Sequence, residues 1–163
     1  MQPLLLFLFC LAVTYGAISD VTRFKIPNVA SYGLLLLFVA RAIVEWNTLP
    51  LLLHLTIFAV VLVISLVFWQ LRWMGGGDVK FVGATVLWMG PEGAIGFCIL
   101  LTAASFVFIS VMKVVRFWNP YFQNGTMPQF VKALLLKSET AIPYGLPTAI
   151  AAVILVLGPG FID

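Results

Sequence analysis

Residues Trp73–Gly83 read WMGGGDVKFVG. Three glycines run into an aspartate and a lysine, with apolar sequence on both sides. Upstream, Leu49–Leu71 is uncharged and long enough to cross a bilayer core, which takes ~20 residues. Downstream, Val79–Met89 is apolar but short, and Gly90-Pro91-Glu92-Gly93 closes it as Gly/Pro clusters do. As a helix it reaches about 17 Å, against ~30 Å for the hydrocarbon core. A short helix still reaches the far side if it begins below the membrane surface or if flanking residues snorkel. Whether Val79–Met89 crosses decides which face every later loop occupies.

Working outward, the other long apolar stretches are Met1–Ser19, Asn28–Trp46 with Arg41 and Glu45 near its far end, Gly93–Met112 and Ala141–Ile162. With the short segment as the fourth, they predict an all-α polytopic protein of about six transmembrane helices. The chain is 63% hydrophobic and 9% charged, with mean hydropathy +1.12. Soluble domains carry roughly 25% charged residues, so composition points to the same class. Residues 1–163 read as one integral-membrane domain. The N-terminus lacks the basic n-region of a cleaved signal peptide.

The distribution of Lys and Arg sets the orientation. With six spans, one face carries Arg23, Lys25, Arg72, Lys80, Lys113, Arg116, Lys132 and Lys137, and the other only Arg41. The basic face is expected to be cytoplasmic, with both termini outside. Removing the short fourth span would move the last four of those cations to the wrong side. The long connection Lys113–Thr140 then lies in the cytoplasm, and Phe130, Val131, Leu134 and Leu135 predict a short amphipathic helix within it. The localisation expected is the inner (plasma) membrane, as a multi-pass protein in the lipid bilayer. No basic stripe or nucleic-acid motif is present, so no nucleic-acid partner is expected.

Six acids remain to be placed. Glu45, Glu92 and Asp163 fall outside, where solvated surface is the default reading, and Glu139 sits among cytoplasmic lysines. Asp20 follows the first span in ISDVTRFKIPN, and Asp78 follows the third. Two crossings separate them, so they share a face. An acid at the membrane edge is costly to desolvate, which points to function. Either acid alone reads equally as a helix-capping or interfacial charge.

Two carboxylates brought within hydrogen-bond reach cannot both ionise easily and come to share a proton. The ionised member takes a proton from water while the protonated one polarises a carbonyl, which is peptide hydrolysis without a nucleophilic side chain. Other chemistries lack parts. His54, the sole histidine, falls in the outer half of the third span and reads as a packed or lipid-interface side chain. There is no HExxH, no Ser–His–acid set and no P-loop. Cys10 and Cys98 are isolated within apolar runs and read as buried free thiols. Neither a metal nor a cofactor is expected. Gly75, Gly76 and Gly77 are free to take positive φ and leave room for a substrate backbone beside Asp78. A plain flexible turn is the simpler reading. Lys80, two residues past Asp78, reads as a snorkelling or charge-biasing neighbour.

Gly75-Gly76-Gly77-Asp78 matches the GxGD motif of membrane aspartyl peptidases, and Val79-Lys80 follows as in type IV prepilin peptidases. Asp20, six residues ahead of Ile26-Pro27-Asn28, resembles the other catalytic segment of that family. The two segments stand in the family's order, and the likeness extends over nearly the whole chain. Pro143-Tyr144-Gly145 is similar to a Pro-aromatic-Gly segment near the last helix of relatives. The resemblance implies that Asp20 and Asp78 are the catalytic pair. It also implies that Gly75–Gly77, Lys80, Ile26, Pro27 and Asn28 shape the site. The substrate implied is a prepilin or pseudopilin precursor, cut at the cytoplasmic face between a basic leader and a hydrophobic helix. Presenilin-like proteases share GxGD, but Asp20 follows Ser19 rather than the tyrosine they require. The paired CxxC motifs of larger, N-methylating members are missing. The chain is therefore similar to the short branch serving Flp (tight-adherence) pili, or to archaeal preflagellin peptidases, and no methyltransferase activity is expected. The competing classes are a small transporter binding a cation on its intramembrane acids and a structural subunit of a pilus assembly complex.

Overall fold

The computed structural model describes residues 3–23, 25–122 and 144–158, with the side chains of 115–122 outside the description. The described residues are helical: α1 (Pro3–Arg23), α2 (Asn28–Val44), α3 (Leu51–Gln70), α4 (Gly76–Phe122) and α5 (Gly145–Leu157). Gly90, at φ 65° and ψ −166°, breaks α4 into a first limb, 76–89, and a second, 91–122. Among the described residues there are thus six helical segments. The predicted stop at Gly90 is found, but Pro91, Glu92 and Gly93 start the second limb instead of forming a loop. Proline suits a first helical turn because its missing N–H would be unpaired there anyway.

Several predicted ends shift. The first helix continues past Ser19 to Arg23, so Asp20 belongs to its last turn. The second limb continues past Met112 to Phe122, so the start of the expected polar connection is helical. Arg116, Lys132, Lys137 and the amphipathic stretch at 130–137 lie outside the described side chains.

The first limb of α4 is the axis of the bundle. Every residue from Phe81 to Gly90 is buried. Against α1 it runs antiparallel at matched heights: Phe9 stacks on Trp88 with ring centroids 4.8 Å apart, and Gly16 leaves the space filled by the Phe81 ring. Gly83 similarly faces Phe58 and Leu62 of α3. Encasement explains why this limb is so short. Protein surrounds it, so its ends need not match the thickness of lipid.

The outer helices are apolar on the outside. In α3 only His54 and Ser65 are buried, whereas Leu52 is 78% exposed and Val63 60%. Water would penalise so much contiguous apolar surface, while lipid accepts it and drives polar side chains inward. Three helices are long and apolar enough to cross a membrane, Pro3–Arg23, Leu51–Gln70 and Gly76–Val114. Asn28–Val44 and Gly145–Leu157 are shorter apolar helices. The fold is all-α and polytopic.

Candidate active site

One end of the bundle gathers the C-terminus of α1 and the N-termini of α2, α4 and α5. The α1–α2 turn is folded back by the Ser19 hydroxyl, which donates to the Lys25 carbonyl at 3.2 Å. Pro27 directly precedes α2, and Ile26 is buried in the core. α3 reaches the same end and stops in a Schellman arrangement. The Trp73 N–H donates to the Phe68 carbonyl (3.0 Å) and the Arg72 N–H to that of Trp69 (2.9 Å). The Trp73 ring stacks on Phe68. Arg72 takes the left-handed position, φ 60°.

Asp78 then occupies the third position of α4. Its Oδ2 accepts from the Gly75 N–H at 3.1 Å, half of a capping box. The expectation that Gly75–Gly77 adopt positive φ is not met: Gly90 alone does so among the described glycines, and Gly76 and Gly77 are already helical. An acid in the first turn stabilises the helix start, which offsets the low helix propensity of glycine. Gly75 clears space for Asp78 itself, since a Cβ there would fall 2.7 Å from Asp78 Oδ2. At Gly77 a Cβ would meet only ordinary contact, 3.5 Å from the Ile26 carbonyl oxygen.

Asp20 is 4% exposed and Asp78 9%. Asp20 Oδ2 accepts from the Gly145 N–H of α5 at 2.7 Å. Each carboxylate is thus anchored through one oxygen by a glycine amide. Asp78 Oδ1 is buried without a hydrogen-bond partner among the described residues. A carboxylate serving only as a cap turns its second oxygen to solvent, and burying it unpaired costs about 1–3 kcal/mol. Asp20 and Asp78 line one cleft of about 540 Å³ with Arg23, Lys25, Ile26, Pro27, Asn28 and Gly75–Gly77.

The structure therefore brings together the acids and motif residues that the sequence singled out, with one exception. Lys80 is exposed on α4 and is not among the residues lining the cleft, whereas Arg23 and Lys25 are. Among the described residues no group of three or more His, Cys, Asp or Glu could hold a metal ion. Cys10 and Cys98 are free and partly buried.

The model of the type IV leader peptidase family matches residues 6–114. The chain belongs to that family. It is an aspartic-type endopeptidase that removes prepilin-type leaders, a step in pilus biogenesis. No match was found among curated proteins or solved structures. The matched stretch of this leader peptidase contains both Asp20 and Asp78. Gly145, which anchors Asp20, lies beyond it. Sequence reading found Gly145 only through the Pro-aromatic-Gly likeness and assigned it no role; the sole local signal was a glycine at the head of an apolar helix.

Proposed function

We propose that Asp20 and Asp78 are the catalytic pair of this peptidase. The observation that carries this reading is the shared cleft in which each acid is anchored through Oδ2 by a glycine amide, while Asp78 Oδ1 is left unpaired. In the mechanism, one aspartate is ionised and takes a proton from a water molecule. The other is protonated and donates a hydrogen bond to the scissile carbonyl oxygen. The water oxygen attacks the carbonyl carbon, and the proton taken from it passes to the departing amine. The glycine anchors hold both side chains in one rotamer, so little reorganisation accompanies the attack.

Cleavage takes place at the cytoplasmic face of the inner membrane, with six spans and both termini outside. Arg23, Lys25, Arg72 and Lys80 belong to the segments around the cleft end, and Arg41 to the opposite end, in keeping with the positive-inside rule. The substrate is a prepilin of the Flp type, and the new N-terminus is left unmethylated; both follow the likeness to the short branch of the family. The test is incubation of the purified full chain, in lipid vesicles, with a prepilin-type substrate. Mass spectrometry of the product should show one cut ahead of the apolar helix and no added methyl group. Activity retained in Asp20→Asn or Asp78→Asn would exclude the pair.

A further inference from the structure

The end of the bundle opposite the cleft carries a second buried polar cluster. The first limb of α4 stops at Gly90, so its last carbonyls have no partner further along that limb. Two side chains from other helices supply donors. His54 of α3, 3% exposed, bonds through Nδ1 to the Leu87 carbonyl at 2.8 Å, which places the ring proton on Nδ1. Arg41 of α2 donates from a terminal guanidinium nitrogen to the Trp88 carbonyl at 2.8 Å. The same guanidinium lies 5.3 Å from the centroid of the Trp88 ring, and its Nε donates to Glu45 Oε2 at 2.9 Å. Phe38 packs against the His54 ring. A Cβ on Gly90 would collide with that ring, and its φ of 65° disfavours any other residue. Arg41 and Glu45, which the sequence places near the outer end of the second span, are thus part of an interhelical clamp.

We propose that Arg41 and His54 are positioning residues that set the depth of Asp78 against Asp20 and thereby the rate of cleavage. This inference rests on the catalytic reading above. Asp78 and Trp88 are ten residues apart on one unbroken limb, a rod of about 15 Å. Contacts along its sides, such as Phe9 on Trp88, are dispersive and fix its depth less sharply than directional bonds do. The bonds at its far end are directional, and in a dry interior an unpaired carbonyl is costly. The Gly75–Asp78 bond lies within the limb's own first turn and moves with it. Asp20 is held on α1 by the Gly145 amide and does not follow the limb, so a slip of one helical residue, about 1.5 Å, takes Asp78 out of register with it.

The test uses the full chain in lipid vesicles and a prepilin-type substrate, with kcat and KM measured separately. His54→Phe keeps a ring and removes the donor; Arg41→Met keeps the apolar stem and removes the guanidinium. Each should lower kcat about tenfold with KM nearly unchanged. His54→Gln, which keeps an N–H donor, should restore the wild-type kcat. An unchanged kcat in both donor-less variants would overturn the proposal, as would equal kcat for His54→Gln and His54→Phe. If His54→Phe does not accumulate in the membrane, Arg41→Met against Arg41→Lys carries the same expectation. A silent wild-type enzyme would instead remove the catalytic reading and this inference with it.

Discussion

The Gly145 amide donates to Asp20 Oδ2 at 2.7 Å, tying the head of α5 to the last turn of α1 across 125 residues of sequence. The pair has no spare room. A Cβ on Gly145 would fall 2.8 Å from both Cβ and Oδ2 of Asp20.

Gly145→Ala should therefore push Asp20 off its anchor without unfolding the chain. A displacement of about 1 Å at a reacting group costs roughly 10²-fold in rate. The expected result is a loss of that order in kcat, measured on a prepilin-type substrate, with KM nearly unchanged. An unaltered kcat would show that the anchor is not needed.

Gly75 and Gly77 should separate in the same assay. Gly75→Ala places a methyl group against Asp78 Oδ2 and should reduce kcat. Gly77→Ala meets only ordinary contacts at Ile26 and replaces a helical glycine, worth about 0.5–1 kcal/mol of added stability. Its unfolding temperature should hold or rise. Because Gly77 lines the cleft, its cost should appear in KM, from lost room for substrate.

Arg72 holds a left-handed conformation that costs a non-glycine residue about 1–2 kcal/mol. Arg72→Gly should raise the thermal unfolding temperature of the detergent-solubilised chain while leaving kcat within about twofold, since Arg72 caps α3 and does not line the cleft. A lower unfolding temperature would place the value of Arg72 elsewhere, in its charge at the membrane edge.

Activity should be bell-shaped in pH. The mechanism needs one aspartate ionised and one protonated. Lowering the pH protonates both and removes the base; raising it ionises both and removes the acid. A profile flat across the acidic and neutral range would contradict a shared proton.

Much of this arrangement is legible in the sequence, and the reasons differ by residue. Asp20 and Asp78 stand out because acids are rare in so apolar a chain, and the break at Gly90 is marked by its own glycine and proline. Helix ends are less visible. Hydropathy falls at Ser19 and Met112, but the backbone bonds continue to Arg23 and Phe122. Gly75–Gly77 read as a loose turn because the bond from the Gly75 amide to Asp78 Oδ2 depends on the helix already being formed. Gly145, Arg41 and His54 are harder still. Their partners are an acid 125 residues away and two backbone carbonyls, and no residue type records which carbonyl a helix break will leave unpaired.

The central claim is that Asp20 and Asp78 act as one unit, and a double-mutant cycle tests it most directly. kcat/KM would be measured for the wild type, Asp20→Asn, Asp78→Asn and the double variant in lipid vesicles. Groups that share one proton fail together, so each single variant should lose at least about 10³-fold and the double variant no more than either single one. Losses that multiply in the double variant, or a single variant that still processes substrate efficiently, would contradict the account.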